Sequence, residues 1–293
     1  MMRWLDRLAE GSWKQPPHYP IYVLGSGRSG TSVVRNALVE TLGWQSFGEG
    51  HLLQLFHALR HATDRHLHAT RRLGQQDGHM LGALEPEAFT RGLAQMLRTM
   101  NHDAFGTEHF IDKTPGIRAL EAYDVIRAAY PRSRIVITKR RGLDVVASMA
   151  KKFPEVSFER HCELWVGSMT ATHVAANELG EAALVLDQHG ILTEPHATAG
   201  SLADFLKLGR THRDKMAAHF ANRRPQASQS AKALATPRGL DSMGWTDEQV
   251  AIFRRVCGDT MELYGYGLVN SYWGKDGEAD LEELPIEPRR FER

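Results

Sequence analysis

The stretch that most constrains this chain is YPIYVLGSGRSGTS, residues 19–32, a short apolar run that empties into a glycine-rich turn. The run at residues 21–24 predicts a buried strand, and the turn predicts a helix opening near Thr31. Gly25, Gly27 and Gly30 let the backbone take positive φ and approach a ligand closely. Successive N–H groups and the helix N-terminus then converge on an anion such as phosphate or sulfate. Arg28 adds a fixed positive charge inside the turn.

This loop departs from a nucleotide-kinase P-loop, GxxxxGK[ST], in which a lysine follows the last glycine. Gly25 and Gly30 keep that spacing, but Thr31 stands in the lysine's place and the cation has moved to Arg28. With 36 basic and 35 acidic residues the net charge is +1, which argues against a general nucleic-acid or membrane-surface binder. Two cysteines, Cys162 and Cys257, lie far apart inside helical patterns and are expected as buried thiols. The first 17 residues contain no apolar core of signal-peptide length and no run of about 18 apolar residues occurs, so a cytoplasmic protein without a membrane span is expected.

Downstream, strand and helix patterns alternate. After an amphipathic opening at Trp4, Leu5 and Leu8 and a break at Pro16 and Pro17, the first unit runs through Val39 and Leu42, and a second strand is expected at residues 44–47. Residues 51–106 carry helical patterns without strand signals and predict a helical insertion or lid. Further strands are expected at 109–111, 134–138 and 183–186, with helices starting near Pro115 and Leu143 and spanning 158–179, 202–208 and 246–263. Residues 222–244 predict a mobile loop, and 271–293 a tail with little to bury. The expectation is an α/β, P-loop-like three-layer sandwich in one domain over residues 1–293, with a central parallel sheet of about five strands and ligands at the strands' carboxyl ends.

Three separated stretches sit at those ends: GSGRSGTS at 25–32, DKTP at 112–115 and ITKRRGLDVVASM at 137–149. Together they resemble the sulfotransferases that use 3′-phosphoadenosine 5′-phosphosulfate (PAPS), with a motif pattern nearest the tyrosylprotein branch. The first resembles that family's 5′-phosphosulfate loop, implying cofactor contacts from Gly27, Arg28, Ser29, Gly30, Thr31 and Ser32. The third resembles its 3′-phosphate element, an Arg after a strand followed eight residues on by a helical Ser, here Arg140 and Ser148. Trp165 and the late segment WTDEQVAIFRRVCGDTMELYGYG extend the resemblance over most of residues 20–267. It implies PAPS as co-substrate and adenosine 3′,5′-bisphosphate as product.

The residue types suit that chemistry. In-line sulfuryl transfer resembles metaphosphate-like phosphoryl transfer, so catalysis is chiefly positioning and charge stabilisation. Arg28 and Lys113 can hold the transferred group from two sides, and no metal ligand set is expected. Arg140 and Arg141 can grip the 3′-phosphate with Ser148. The acceptor hydroxyl needs a base. Glu49, in a Gly-Glu-Gly turn where the tyrosylprotein branch keeps a catalytic glutamate, is the candidate, with His51 as the runner-up. A late basic contact to the cofactor stays open among Arg223, Arg224 and Arg238. Where other members carry a Tyr-Glu-Asp-Leu-like run, this chain has Leu186, Asp187, Gln188, His189 and Gly190.

His51, His57, His61, His66 and His68 form a dense group; His57 and His61 at i, i+4 could ligate zinc, but no carboxylate or cysteine completes a familiar motif, so a solvated or substrate-facing helical surface is expected. The expected function is transfer of a sulfuryl group to a small-molecule, saccharide, lipid or peptide acceptor, at a hydroxyl or less readily an amine, by a monomer or homodimer. Alternatives are a P-loop kinase-like phosphotransferase and a catalytically inactive nucleotide-binding protein. The first wants a lysine at position 31, and the second has no use for a base beside Arg28 and Lys113.

Overall fold

The computed structural model describes residues 19–74, 79–80, 87–222, 237–281 and 284. The expectations for Trp4, Leu5, Leu8, Pro16, Pro17, Arg223 and Arg224, for residues 223–236 of the expected loop, and for residues 282–283 and 285–293 of the expected tail lie outside the described residues. Strands β1 (Ile21–Gly25), β2 (Ile111–Lys113), β3 (Arg134–Lys139) and β4 (Ala183–Asp187) form one parallel sheet in the order β2-β1-β3-β4. Between β1 and β2 come α1 (Thr31–Leu42), α2 (Leu52–Ala69) and α3 (Glu87–Phe105); α4 (Tyr123–Ala129) precedes β3. Helices α5 (Gly142–Lys152) and α6 (Phe158–Leu179) lead to β4, and α7 (Gln188–Thr193), α8 (Pro195–Phe205), α9 (Arg210–Asn222) and α10 (Asp247–Leu263) follow.

Parallel strands are covered on both faces, which is why β1 reads as an unbroken apolar run rather than an alternating one. All five of its residues are buried. Tyr22 and Leu24 point into a cluster with Leu53, Phe56, Leu97 and Phe105 of α2 and α3, whereas Ile21 and Val23 point into the opposite cluster with Val34, Leu38, Leu202 and Phe220. A third cluster joins Val145 and Val146 of α5 to Trp165 of α6 and Phe253, Cys257 and Met261 of α10. Cys162 and Cys257 are buried free thiols, as composition suggests. The capping box at the start of α10, between Thr246 and Gln249, fixes where that helix begins.

Three sequence expectations are corrected here. The sheet has four strands among the described residues rather than about five, because residues 44–47 make only one bridge, Gln45 to Phe110. Arg35 of α1 explains why: it donates to Ser46 Oγ at 3.0 Å and to the Phe47 carbonyl at 2.8 Å, which diverts that backbone from a ladder. The strand expected at 109–111 is shifted, since parallel register pairs Ile21, Tyr22 and Val23 with Ile111, Asp112 and Lys113. Asp112 and Lys113 therefore belong to the ladder itself. His57 is not on a solvated surface; it is buried, at 4 % exposure. No helix among the described residues is long and apolar enough to cross a membrane.

Candidate active site

The carboxyl ends of β1, β2 and β3 bring the three motif stretches to one place. β1 and β3 run so close that a Cβ on Gly25 would fall 2.2 Å from the Thr138 carbonyl oxygen. The turn that follows is braced by Ser29, whose hydroxyl donates to the Ser26 carbonyl and lies 2.7 Å from Thr138 Oγ1. Gly30, at φ 96°, caps α1 in a left-handed conformation that a side chain would resist. No side chain caps α1 and no acid occupies its first turn, so the positive end of the helix dipole is left to a ligand. Thr31 is buried there, and Ser32 follows it.

Arg28 also has positive φ, 68°, which costs a residue with a side chain about 1 kcal/mol. Partners from the β3–α5 motif hold it: Nε donates to Ser148 Oγ at 3.0 Å, and Arg140 Nη1 donates to the Arg28 carbonyl at 3.1 Å. Arg28, Arg140 and Ser148 thus form one group. Partial burial, reinforced by the nearby Arg140 charge, pulls the Arg28 pKa below its ordinary value. Two guanidinium groups held together in a half-buried setting repel each other, and a multiply charged anion between them would reverse the sign of that interaction. Arg140 is positioned in turn by Trp165, whose indole N–H donates to its carbonyl at 3.0 Å.

On the β2 side, Lys113 extends from the buried strand end to Glu49 Oε1 at 2.7 Å, with Ser32 Oγ at 3.5 Å. Glu49 Oε2 lies 3.1 Å from His51 Nε2, and the His51 ring holds Gln54 through Nδ1. Beneath this turn Asp112 is buried; burial raises its carboxyl pKa against the opposing pull of the Thr114 hydroxyl, His51 and Lys113. Lys113 therefore joins the Glu49 turn to the start of α1, and through Ser32 to the loop that carries Arg28.

Arg141 does not belong with this group. Its guanidinium is fully buried, bonded to Asp144 and to the backbone carbonyls of Arg238, Gly267 and Ser271, so it ties the C-terminal segment to β3 rather than facing the turn. Arg238 meets Arg141 through its carbonyl. At the end of β4, Asp187 accepts from Tyr266 and Tyr272 at 2.7 and 2.6 Å and faces Lys139, where other members of the resembled family place a tyrosine-bearing run. Sequence reading overlooked the bracing roles of Thr138 and Asp112. A threonine closing a buried strand and an aspartate inside one were the available signals.

The description "sulfotransferase family" attaches to a family model that matches residues 20–213, two thirds of the chain. The chain belongs to the sulfotransferase family. No curated protein matches it significantly. Among solved structures, the sulfotransferase domain of the Synechococcus PCC 7002 olefin synthase is 18% identical with a TM-score of 0.48, covering 76% of this chain and 86% of that one. Sulfotransferase STF9 from Mycobacterium avium is 12% identical with a TM-score of 0.49, covering 92% and 82%. The family match alone carries the assignment. Within that family, the residues singled out from sequence fall into two linked groups, Arg28–Arg140–Ser148 and Ser32–Lys113–Glu49–His51, on one end of the sheet.

Proposed function

We propose that this sulfotransferase-family chain transfers the sulfuryl group of PAPS to an acceptor hydroxyl, or less readily an amine, by in-line displacement with Glu49 as base. The observation that carries the reading is the Lys113–Glu49 pair at the end of β2, beside Ser32 at the uncapped start of α1, with Arg28 in the turn that leads into that helix. Backbone N–H groups of residues 27–32 would hold the 5′-phosphosulfate, and Arg140 with Ser148 the 3′-phosphate. Glu49 accepts the acceptor proton as the new S–O bond forms, while Arg28 and Lys113 offset charge building on the 5′-phosphate oxygen that leaves. His51, in contact with Glu49, orients the base. Side-chain cations perform the charge neutralisation that magnesium performs in kinases, and Thr31 in place of a P-loop lysine agrees with that division of work.

The test is a transfer screen in EDTA with PAPS and a panel of phenols, sugars, lipids and peptides, read as acceptor-dependent release of adenosine 3′,5′-bisphosphate. Glu49→Gln should lower turnover by about 100-fold or more while leaving bisphosphate binding near wild type, as expected for loss of a general base. Near-normal turnover of Glu49→Gln would remove Glu49 from the role, and comparison with His51→Gln would then decide between the two.

A further inference from the structure

His57 and His61 stand one turn apart on α2, and their rings meet edge to face with centroids 4.4 Å apart. Glu121, far away in sequence, closes the short helical turn Ile117–Leu120 that follows β2 and brings Oε2 to 2.7 Å from His57 Nε2. This is the carboxylate that the sequence did not place beside the histidine pair. Each of the three residues offers a ligand atom within 4.8 Å of the others.

We propose that His57, His61 and Glu121 bind a divalent transition-metal ion of the zinc class, which ties α2 to the segment after β2. The donor set, two imidazoles and a carboxylate, is that of a zinc or cobalt site and unlike the all-oxygen shells of magnesium and calcium. His57 is buried and its Nε2 faces Glu121 Oε2 at 2.7 Å, so an imidazole and a carboxylate already point at one spot where a metal ion could replace the proton between them. Tetrahedral zinc with bonds near 2.0 Å spaces its ligand atoms about 3.3 Å apart, within reach of rotations of the exposed His61 and Glu121 side chains. Water can fill the fourth position from that exposed side. The adjacent Arg60 does not oppose the ion, because its guanidinium is engaged by Asp64 and Asp124. The site lies on the helix whose N-cap is His51, so a bound ion would also anchor the helix that leads out of the Glu49 turn. None of the three residues belongs to the sulfuryl-transfer group, and the two proposals stand or fall separately.

Metal-free, untagged full-length protein is titrated with zinc by calorimetry, with cobalt as a spectroscopic probe. The proposal expects saturable uptake of one equivalent, visible d–d bands of low-coordinate cobalt, and a zinc-dependent rise in Tm. His61→Ala changes an exposed side chain and should fold; it and Glu121→Gln should weaken that binding roughly tenfold or more and lose the Tm rise. Undiminished zinc binding by His61→Ala, or no one-equivalent uptake by the wild-type protein, would overturn the proposal and leave His57 and Glu121 as a plain ion pair.

Discussion

Gly48 and Gly50 flank Glu49 alike in sequence, yet the structure predicts opposite consequences for replacing them. A Cβ on Gly50 would fall 2.3 Å from Asp112 Oδ2 and 2.9 Å from its Cγ, whereas a Cβ on Gly48 would meet nothing within 4 Å. Ordinary contacts lie near 3.5 Å, so Gly50→Ala demands a displacement of roughly 1 Å. Asp112 cannot swing aside cheaply, being buried with Oδ1 held by the Thr114 hydroxyl at 2.7 Å. The Glu49 turn must move instead, stretching the Gly50 N–H bond to the Lys113 carbonyl, 3.3 Å, and the Glu49–Lys113 contact. A misplacement of about 1 Å is worth about 100-fold in rate, near 2.7 kcal/mol of barrier, and the overpacking costs about 1–3 kcal/mol of stability. Using the acceptor that the transfer screen identifies, kcat of Gly50→Ala should fall by that factor while calorimetry shows bisphosphate affinity close to wild type. Gly48→Ala should keep kcat within roughly twofold. Equal damage from both substitutions, or a Gly50→Ala kcat within about threefold of wild type, would refute the placement of Glu49 over Asp112.

Other perturbations separate binding from framework. Arg140→Ala should weaken adenosine 3′,5′-bisphosphate by about 10- to 100-fold, the worth of one lost charge-assisted bond, and adenosine 5′-phosphate by less than about threefold; equal losses on the two ligands by calorimetry would dissociate Arg140 from the 3′-phosphate. Arg141→Met leaves Asp144 and three backbone carbonyls without their buried donor and should cost about 3 kcal/mol or more in urea denaturation, while a loss below about 1 kcal/mol would contradict its framework role. Asp112→Asn should gain stability relative to wild type as pH rises. The folded carboxyl pKa is raised, so its contribution is full below the ordinary value of 3.8 and is lost as pH climbs through the raised one, a loss the amide lacks. Denaturation midpoints from about pH 4 to about pH 7 check this, and a difference that stays flat or falls with pH would contradict it.

The strand and glycine turn at residues 21–30 were legible because their signals are local. A buried parallel strand must be apolar on both faces, and the turn behind it needs glycine where Gly25 meets Thr138 and where Gly30 caps α1. Arg28 and Lys113 were visible in the sequence motifs, and Arg140, Ser148 and Glu49 came from the family resemblance those motifs carry; all five lie at the carboxyl end of the sheet. What escaped depends on partners distant in sequence. Arg141 looks like its neighbour Arg140 in a basic turn; only the carbonyls of Arg238, Gly267 and Ser271 reveal that the Arg141 guanidinium is bound into the C-terminal framework whereas Arg140 reaches the Arg28 carbonyl. Asp112 and Lys113 look like loop residues until register with β1 draws them into the ladder. Residues 44–47 have strand composition, but Arg35 takes the Phe47 carbonyl that a ladder would need. His57 and His61 were visible as a helical pair, and Glu121 arrives through tertiary folding alone.

The central claim is that the turn after β1 is built for a phosphosulfate nucleotide rather than a triphosphate. Calorimetric titration of the wild-type protein in EDTA with adenosine 3′,5′-bisphosphate and with ATP tests it most directly. The account predicts that the bisphosphate binds more tightly without metal, through Arg28, Arg140 and Ser148; tighter binding of ATP would contradict it.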